Sequence, residues 1–183
     1  DGRVSREQIV TRLSLVRAHT RAVRFYGCTQ GLEAGPAVAK SMGLDVASGA
    51  WISGDRNENE RQLANLIAIG RAGQARWLIV GSETLLRNDV NEVELLAYIA
   101  RVKAAVPGVP VAYADTWQVL LAHPAVLAAV DAVMPNYHPF MDGIAIADAI
   151  AAVDDAHARI MVAAGASRSF RRRPAGRARA RPW

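Results

Sequence analysis

Cysteine is nearly absent from these 183 residues: Cys28 stands alone, which excludes an internal disulfide and a thiolate zinc cluster. That absence says little about compartment, because larger domains are secreted without disulfides. No apolar run approaches the roughly 20 residues needed to span a bilayer, so no membrane segment is expected. No basic, apolar and then small-residue segment opens the chain, so any targeting peptide was removed or lies outside it. His19, His123, His138 and His157 are scattered, with no i, i+4 pair and no acidic cluster beside them. Neither a metal nor a cofactor is therefore expected. A G-x-G-x-x-G turn is missing as well; Gly27-Cys-Thr-Gln-Gly31 does not supply it, which argues against a dinucleotide fold.

Acid is missing from one end. Residues 168–183 carry seven arginines and no carboxylate: Arg168, Arg171, Arg172, Arg173, Arg177, Arg179 and Arg181. Without them, 15 basic side chains face 17 acidic ones, a net charge of −2, although the whole chain stands at +5. The body is mildly acidic, and no nucleic-acid partner is expected from the high pI. From Gly165 to Trp183 there is no apolar periodicity, so residues 165–183 are expected to form an Arg-rich disordered tail.

What is present is alternation. Residues 5–18 repeat at helical spacing through Ile9, Leu13 and Val16, opened by Ser5 and Gln8 at capping-box distance. Strands are predicted at Ala22–Tyr26, Leu44–Ile52, Trp77–Val80, Val109–Ala114 and Val130–Met134. Helices are predicted between them: Leu32–Met42 closed by Gly43, one capped by Asn57 and Glu60 and running to about Ile69, and one capped by Asp89 and Glu92 and running to Ala105. Another follows, capped by Asp115 and Gln118, and a last one lies between Gly143 and Ala158. Such alternation means βαβ units and an α/β fold with a parallel sheet. Two architectures remain, an open doubly wound sheet or part of a (βα)8 barrel, since a whole barrel takes about 250 residues. In either, the carboxyl ends of strands display reactive groups, and Glu83 sits just past the Trp77 strand.

With the strands placed, five segments in order resemble the bacterial branch of the family 17 glycoside hydrolases. They are Val23-Arg-Phe-Tyr-Gly-Cys28, Gly49-Ala-Trp-Ile-Ser-Gly-Asp55, Leu78-Ile-Val-Gly-Ser-Glu83, Val111-Ala-Tyr-Ala-Asp115 and Asn136-Tyr-His-Pro-Phe140. The resemblance implies a partial (β/α)8 TIM barrel over residues 1–164, covering about strands two to six. It implies β-1,3-glucanase or glucanosyltransferase activity on β-glucan oligo- or polysaccharide, with work outside the cytoplasm. Glu83 then takes the place of the general acid/base of a retaining mechanism, whose second carboxylate stands roughly 5 Å away.

In the family that second acid lies after strand seven, in a Gly-Glu-Thr-Gly-Trp-Pro motif absent here, and no glutamate follows Glu94 at all. Ile160-Met-Val-Ala-Ala164 is read as a possible start of that strand, with the coding frame expected to be cut or shifted near Gly165. This chain alone is accordingly expected to be weakly active or inactive. Ser82 replaces the family's asparagine before the acid/base, where the amide meets the sugar's 2-hydroxyl.

Tyr26 and Trp51, at strand ends, can stack on a pyranose ring or fill the core. Tyr113 ends the fourth strand, with Asp115 read as a helix cap. Asn136 and His138 match the family's cleft rim, although a lone histidine often only packs. Cys28 is read as packing. The candidate site is thus Glu83, catalytic, with Tyr26, Trp51, Ser82, Tyr113, Asn136 and His138 binding substrate. Transglycosylation and noncatalytic glucan binding remain open, as does a polyanion-binding tail. Strand edges near Tyr26 and Met134 are expected to favour association.

Overall fold

A computed structural model describes residues 2–167. The first helix, α1 (Arg6–Arg17), starts at the expected capping box, with the Ser5 side chain and Gln8 closing on one another's backbone, and buries Ile9 and Leu13; Val16 is exposed. Then follow β1 (Ala22–Phe25), α2 (Gly35–Ser41) after a short 3-10 turn, β2 (Asp45–Ala50), α3 (Arg56–Arg71) and β3 (Trp77–Ser82). The second half holds α4 (Glu92–Ala105), β4 (Val111–Thr116), α5 (Trp117–Ala122), α6 (Pro124–Ala129), β5 (Ala132–Asn136) and α7 (Ala149–Ser167).

All five strands are parallel and lie side by side in chain order. A doubly wound sheet reverses its order at a switch point; this one never does, which makes it a half-barrel. Alternation along each strand divides the side chains between two faces. Val23 and Phe25, Val46 and Ala50, Leu78 and Val80, Val111 and Tyr113, and Val133 belong to the main core, packed with helix residues such as Leu63, Leu66, Leu95, Ile99 and Leu120. The other face carries a separate cluster of Ile79, Ala112 and Ala114, flanked by Ala47, Trp77, Ala132 and Met134. That face is the inner wall of the half-barrel. Small residues there suit the concave side, where side chains converge.

The sheet follows the sequence closely, but helix starts moved. α3 is capped by Asp55, which accepts from Asn57 N and Glu58 N, and α4 by Asn91 in a capping box with Glu94. Each site offers two overlapping pairs at the same three-residue spacing, and the other pair was the one expected. At α4 the alternative cap is already engaged, because Asp89 accepts from Arg87 Nε at 2.7 Å. Asp115 caps nothing: α5 begins after Thr116 without a side-chain cap bond. The last helix runs to Ser167, so Ile160–Ala164 is helix rather than the start of a strand, and residues 165–167 continue it. Ile160 is buried in the main core and Ala163 packs on it, while Met161 and Val162 are exposed. The arginines of the expected tail lie outside the described residues. No helix among the described residues is long and apolar enough to cross a membrane.

β1 and β5 each have one neighbour, and their residues are mostly half-buried where those of β2, β3 and β4 are mostly buried. An apolar hollow of about 430 Å³ opens along the inner wall between Ala22, Ala47, Trp77 and Met134. Unpaired edges and an open apolar wall favour association. Sedimentation velocity at increasing concentration is expected to show oligomers of this chain, and a monodisperse monomer throughout would contradict that.

Candidate active site

The carboxyl ends of the strands bring together one acid, one amide and one imidazole. Regular alternation would not achieve this. Between β3 and β4, Ile79 pairs with Ala112 but Ser82 with Ala114, so β3 holds one extra residue. Such a β-bulge turns the residues beyond it to the opposite face. Gly81 supplies the conformation, at φ +88, where an added Cβ would run into Thr84 and the Tyr113 ring. Ser82 therefore returns to the inner wall, where its Oγ accepts from Arg24 Nη2 at 3.3 Å.

Glu83 follows with φ +55, a left-handed conformation uncommon for a residue with a side chain. Its backbone N–H donates to Ala114 O at 2.8 Å, and its side chain swings toward the end of β5. There Oε1 accepts from Asn136 Nδ2 at 2.7 Å, with His138 Nε2 3.4 Å away. Oε2 has no partner among the described residues, and the side chain stays partly open to solvent.

The turn carrying Glu83 is fixed from behind. Tyr113 is completely buried on the helix side of the sheet. Its hydroxyl accepts from Leu85 N at 3.1 Å and donates to Asp115 Oδ2. Asp115 in turn accepts from Leu86 N at 3.4 Å and, through Oδ1, from Thr116 N at 2.8 Å. Burial raises the Asp115 carboxyl above its ordinary value, against the opposing pull of these hydrogen bonds. The Tyr113 hydroxyl is raised as well, by burial and then by the neighbouring carboxylate. Tyr113 thus has no surface to offer a ligand, in contrast to its expected role as a substrate contact. It holds the Glu83 turn instead.

Arg87 supplies a second clamp. Nη1 donates to Ser82 O at 2.6 Å and Nη2 to Ile52 O at 3.1 Å, joining the ends of β2 and β3. Its guanidinium also covers one face of the Trp51 ring, 4.4 Å from the centroid, as Arg24 covers Tyr26 at 4.3 Å. Both rings remain accessible, Tyr26 at 56% and Trp51 at 40% exposure, so neither is core filling, and each lies against a cation. Cys28 is fully buried, with its thiol on Gln62 O and burial pushing it up to about 12, an unreactive setting.

The structure thus gathers Glu83, Asn136 and His138, sets Ser82 beside them and turns Tyr113 away. Arg24 and Arg87 escaped the sequence reading. Arg24 had one signal, a charge at an inward position of a short strand; Arg87 had none. No group of three or more His, Cys, Asp and Glu side chains suited to a metal occurs among the described residues.

Comparison with known proteins gives this geometry a context. A family model described as the BtgE/BtgC glycoside hydrolase domain matches residues 2–170. The glucan 1,3-beta-glucosidase of Candida albicans is 30% identical over 143 residues, covering 68% of this chain and 46% of that protein. Its Saccharomyces cerevisiae counterpart is 28% identical over 151 residues, covering 73% and 48%. The chain therefore spans about half the length of these curated relatives. Among solved structures, the glycoside hydrolase family 17 beta-1,3-glucanosyltransferase of Rhizomucor miehei superposes with a TM-score of 0.78 at 24% identity, over 88% of this chain and 62% of that one. An active-site mutant of that enzyme, in complex with laminaritriose, matches equally well. At this identity the structural likeness establishes the partial barrel.

Two consequences can be measured. Gly81→Ala forces a side chain into a left-handed position where its Cβ would meet Thr84 Oγ1 at 2.6 Å. It should cost at least about 1 kcal/mol in urea unfolding, the scale of left-handed strain; unchanged stability would contradict the bulge. Asp115, raised in the folded state, holds its proton to a higher pH than the unfolded chain does. Its contribution to stability is thus complete below the ordinary value of 3.8 and lost as pH rises through the raised folded value. The stability difference between the unaltered chain and Asp115→Asn should therefore be largest below the ordinary value of 3.8 and decline as pH rises above it, and a pH-independent difference would contradict it.

Proposed function

The chain belongs to the BtgE/BtgC glycoside hydrolase family, and from that membership we propose that Glu83 is the general acid/base of a retaining reaction on β-1,3-glucan. The observation that carries the reading is the asymmetric engagement of the carboxyl. Oε1 is held by Asn136 while Oε2 has no partner among the described residues. An acid catalyst needs this arrangement: one oxygen fixes the group, and the other carries the proton to the glycosidic oxygen. After bond cleavage the same oxygen takes a proton from the incoming hydroxyl. Water as acceptor gives hydrolysis and a second glucan gives transfer.

The covalent step requires a second carboxylate on the opposite side of the sugar. The nearby aspartates are engaged elsewhere: Asp115 behind the sheet with Tyr113, Asp89 with Arg87, and Asp142 with Gln118 Nε2 at 3.0 Å. No glutamate follows Glu94. We therefore assign this chain the acid/base half of the site, with Tyr26 and Trp51 as platforms for the sugar rings. The work of such a glucan-acting family lies outside the cytoplasm in this reading.

Titration of laminaritriose into the purified chain tests the assignment. Binding is expected, weakened about threefold to tenfold by Tyr26→Ala or Trp51→Ala, the scale of a lost aromatic contact. Glu83→Gln should bind nearly as well as the unaltered chain, because the acid acts on the bond rather than on affinity. Turnover of laminari-oligosaccharides should be negligible. Absence of binding would overturn the glucan reading, and robust cleavage would overturn the assignment of a single carboxylate.

A further inference from the structure

We propose that the exposed faces of α1 and α7 are the two halves of one interface, through which copies of this chain associate head to tail. The proposal concerns the helix layer and is independent of the glucan reading. α1 packs on α2 at the β1 end of the sheet, and α7 packs on α5 and α6 at the β5 end. Both helices are thinly anchored. α1 buries only Ile9 and Leu13, and α7, although 19 residues long, buries only Ala156 and Ile160 among its described side chains. What they leave in solvent is both apolar and charged. Residues 6–21 carry four exposed arginines, Arg6, Arg12, Arg17 and Arg21, against one acid, Glu7, and Leu15 at 71% exposure lies with Val16 between Arg12 and Arg17. On α7, Ile150, Asp154 and Met161 line one side of the exposed face and Ala151, Asp155 and Val162 the other, each an acid between apolar or small residues. Ile150 and Val162 are about as exposed as Leu15, at 75% and 74%.

The side chains of Arg12, Arg17, Asp154 and Asp155 have no ion pair or hydrogen bond among the described residues. The one arginine on α7, Arg159, is laid on the Trp117 ring, 4.8 Å from its centroid, and leaves the two aspartates uncompensated. The chain thus presents a basic apolar face and an acidic apolar face. Five strands hold them at opposite ends of the sheet, so they can meet only between molecules. A second copy is the occupant that supplies both the sign and the apolar surface each face needs. Exposed ion pairs add little energy one by one, but they decide which face meets which. Leu15, Val16, Ile150, Met161 and Val162 supply the burial. Because the two faces differ, the contact is heterologous and repeats from copy to copy instead of ending at a symmetric dimer.

Sedimentation velocity of the full chain over a concentration series tests this. It is run beside R12E/R17E on α1, D154K/D155K on α7, an equimolar mixture of the two, and one chain carrying all four changes. The unaltered chain should grow past dimer as concentration rises. Either reversed pair alone should raise the concentration required at least about tenfold, because like charges then face each other. The mixture and the fourfold variant should recover, since both restore opposite signs across the contact. A monomer at every concentration would overturn the proposal, leaving these faces bare or to another partner. Association indifferent to both reversals would overturn it too and assign the oligomer to the sheet edges. Reversed pairs that fail to rescue one another would also overturn it. Melting temperatures are measured for every variant. If a reversal destabilises the fold, L15S and V162S decide: weaker association at an unchanged melting temperature supports the contact, and unchanged association overturns it.

Discussion

One hydrogen bond, from the Asn136 amide to Glu83 Oε1 at 2.7 Å, joins strand ends that are not neighbours in the sheet. β4 lies between β3 and β5, so in a flat sheet their backbones would stand roughly 9–10 Å apart, two strand spacings. A glutamate reaching from the end of β3 can close that gap because the sheet curls toward its inner wall. The contact needs three local features at once. The extra residue in β3 resets the facing of Ser82, Gly81 accepts φ +88, and Glu83 itself adopts φ +55. Strict pleating would have separated acid and amide.

Holding an acidic side chain in a left-handed turn takes structure behind it, and that support comes from the helix side. Tyr113 and Asp115 pass hydrogen bonds to the backbone of Leu85 and Leu86, while Arg87 ties the Ser82 and Ile52 carbonyls together. Burying a carboxyl and a phenol is costly unless their polar atoms are met, and here they meet each other and three backbone amides, those of Leu85, Leu86 and Thr116. The site is thus built on both faces of one sheet. The candidate groups stand on the inner wall, and the groups that fix them lie in the helix-packed core.

The sheet was legible because parallel strands buried on both faces read as short apolar runs between turn signals, and each of the five appears within about two residues of its expected position. Glu83, Asn136 and His138 converge because all three lie at or just past the carboxyl ends of strands in a parallel sheet, which sequence order alone reveals. Tyr113 did not follow, because regular alternation along β4 puts it with Val111 on the helix side, opposite Ala112 and Ala114. Asp115 carried a cap signature but was drawn into a buried pair. The run Ile160–Ala164 shows a different limit: five apolar residues fit a strand or a helix turn equally well, and here a helix buries Ile160 while Met161 and Val162 stay exposed. The positive φ of Glu83 left no trace in residue type. The arginine-rich segment beyond Ser167 lies outside the described residues and takes no part in this account.

The chain belongs to a glycoside hydrolase family and forms a half-barrel, and our proposal puts the reacting end of the molecule at the carboxyl ends of β3 and β5. Whether Glu83 meets a sugar there is the central claim, and a crystal structure of the Glu83→Gln chain with laminaritriose tests it most directly. The account predicts a glycosidic oxygen within hydrogen-bond reach of the residue 83 amide, with Asn136 still engaged on the other side of that group. A trisaccharide seated elsewhere, or residue 83 turned away from both Asn136 and the sugar, would contradict it.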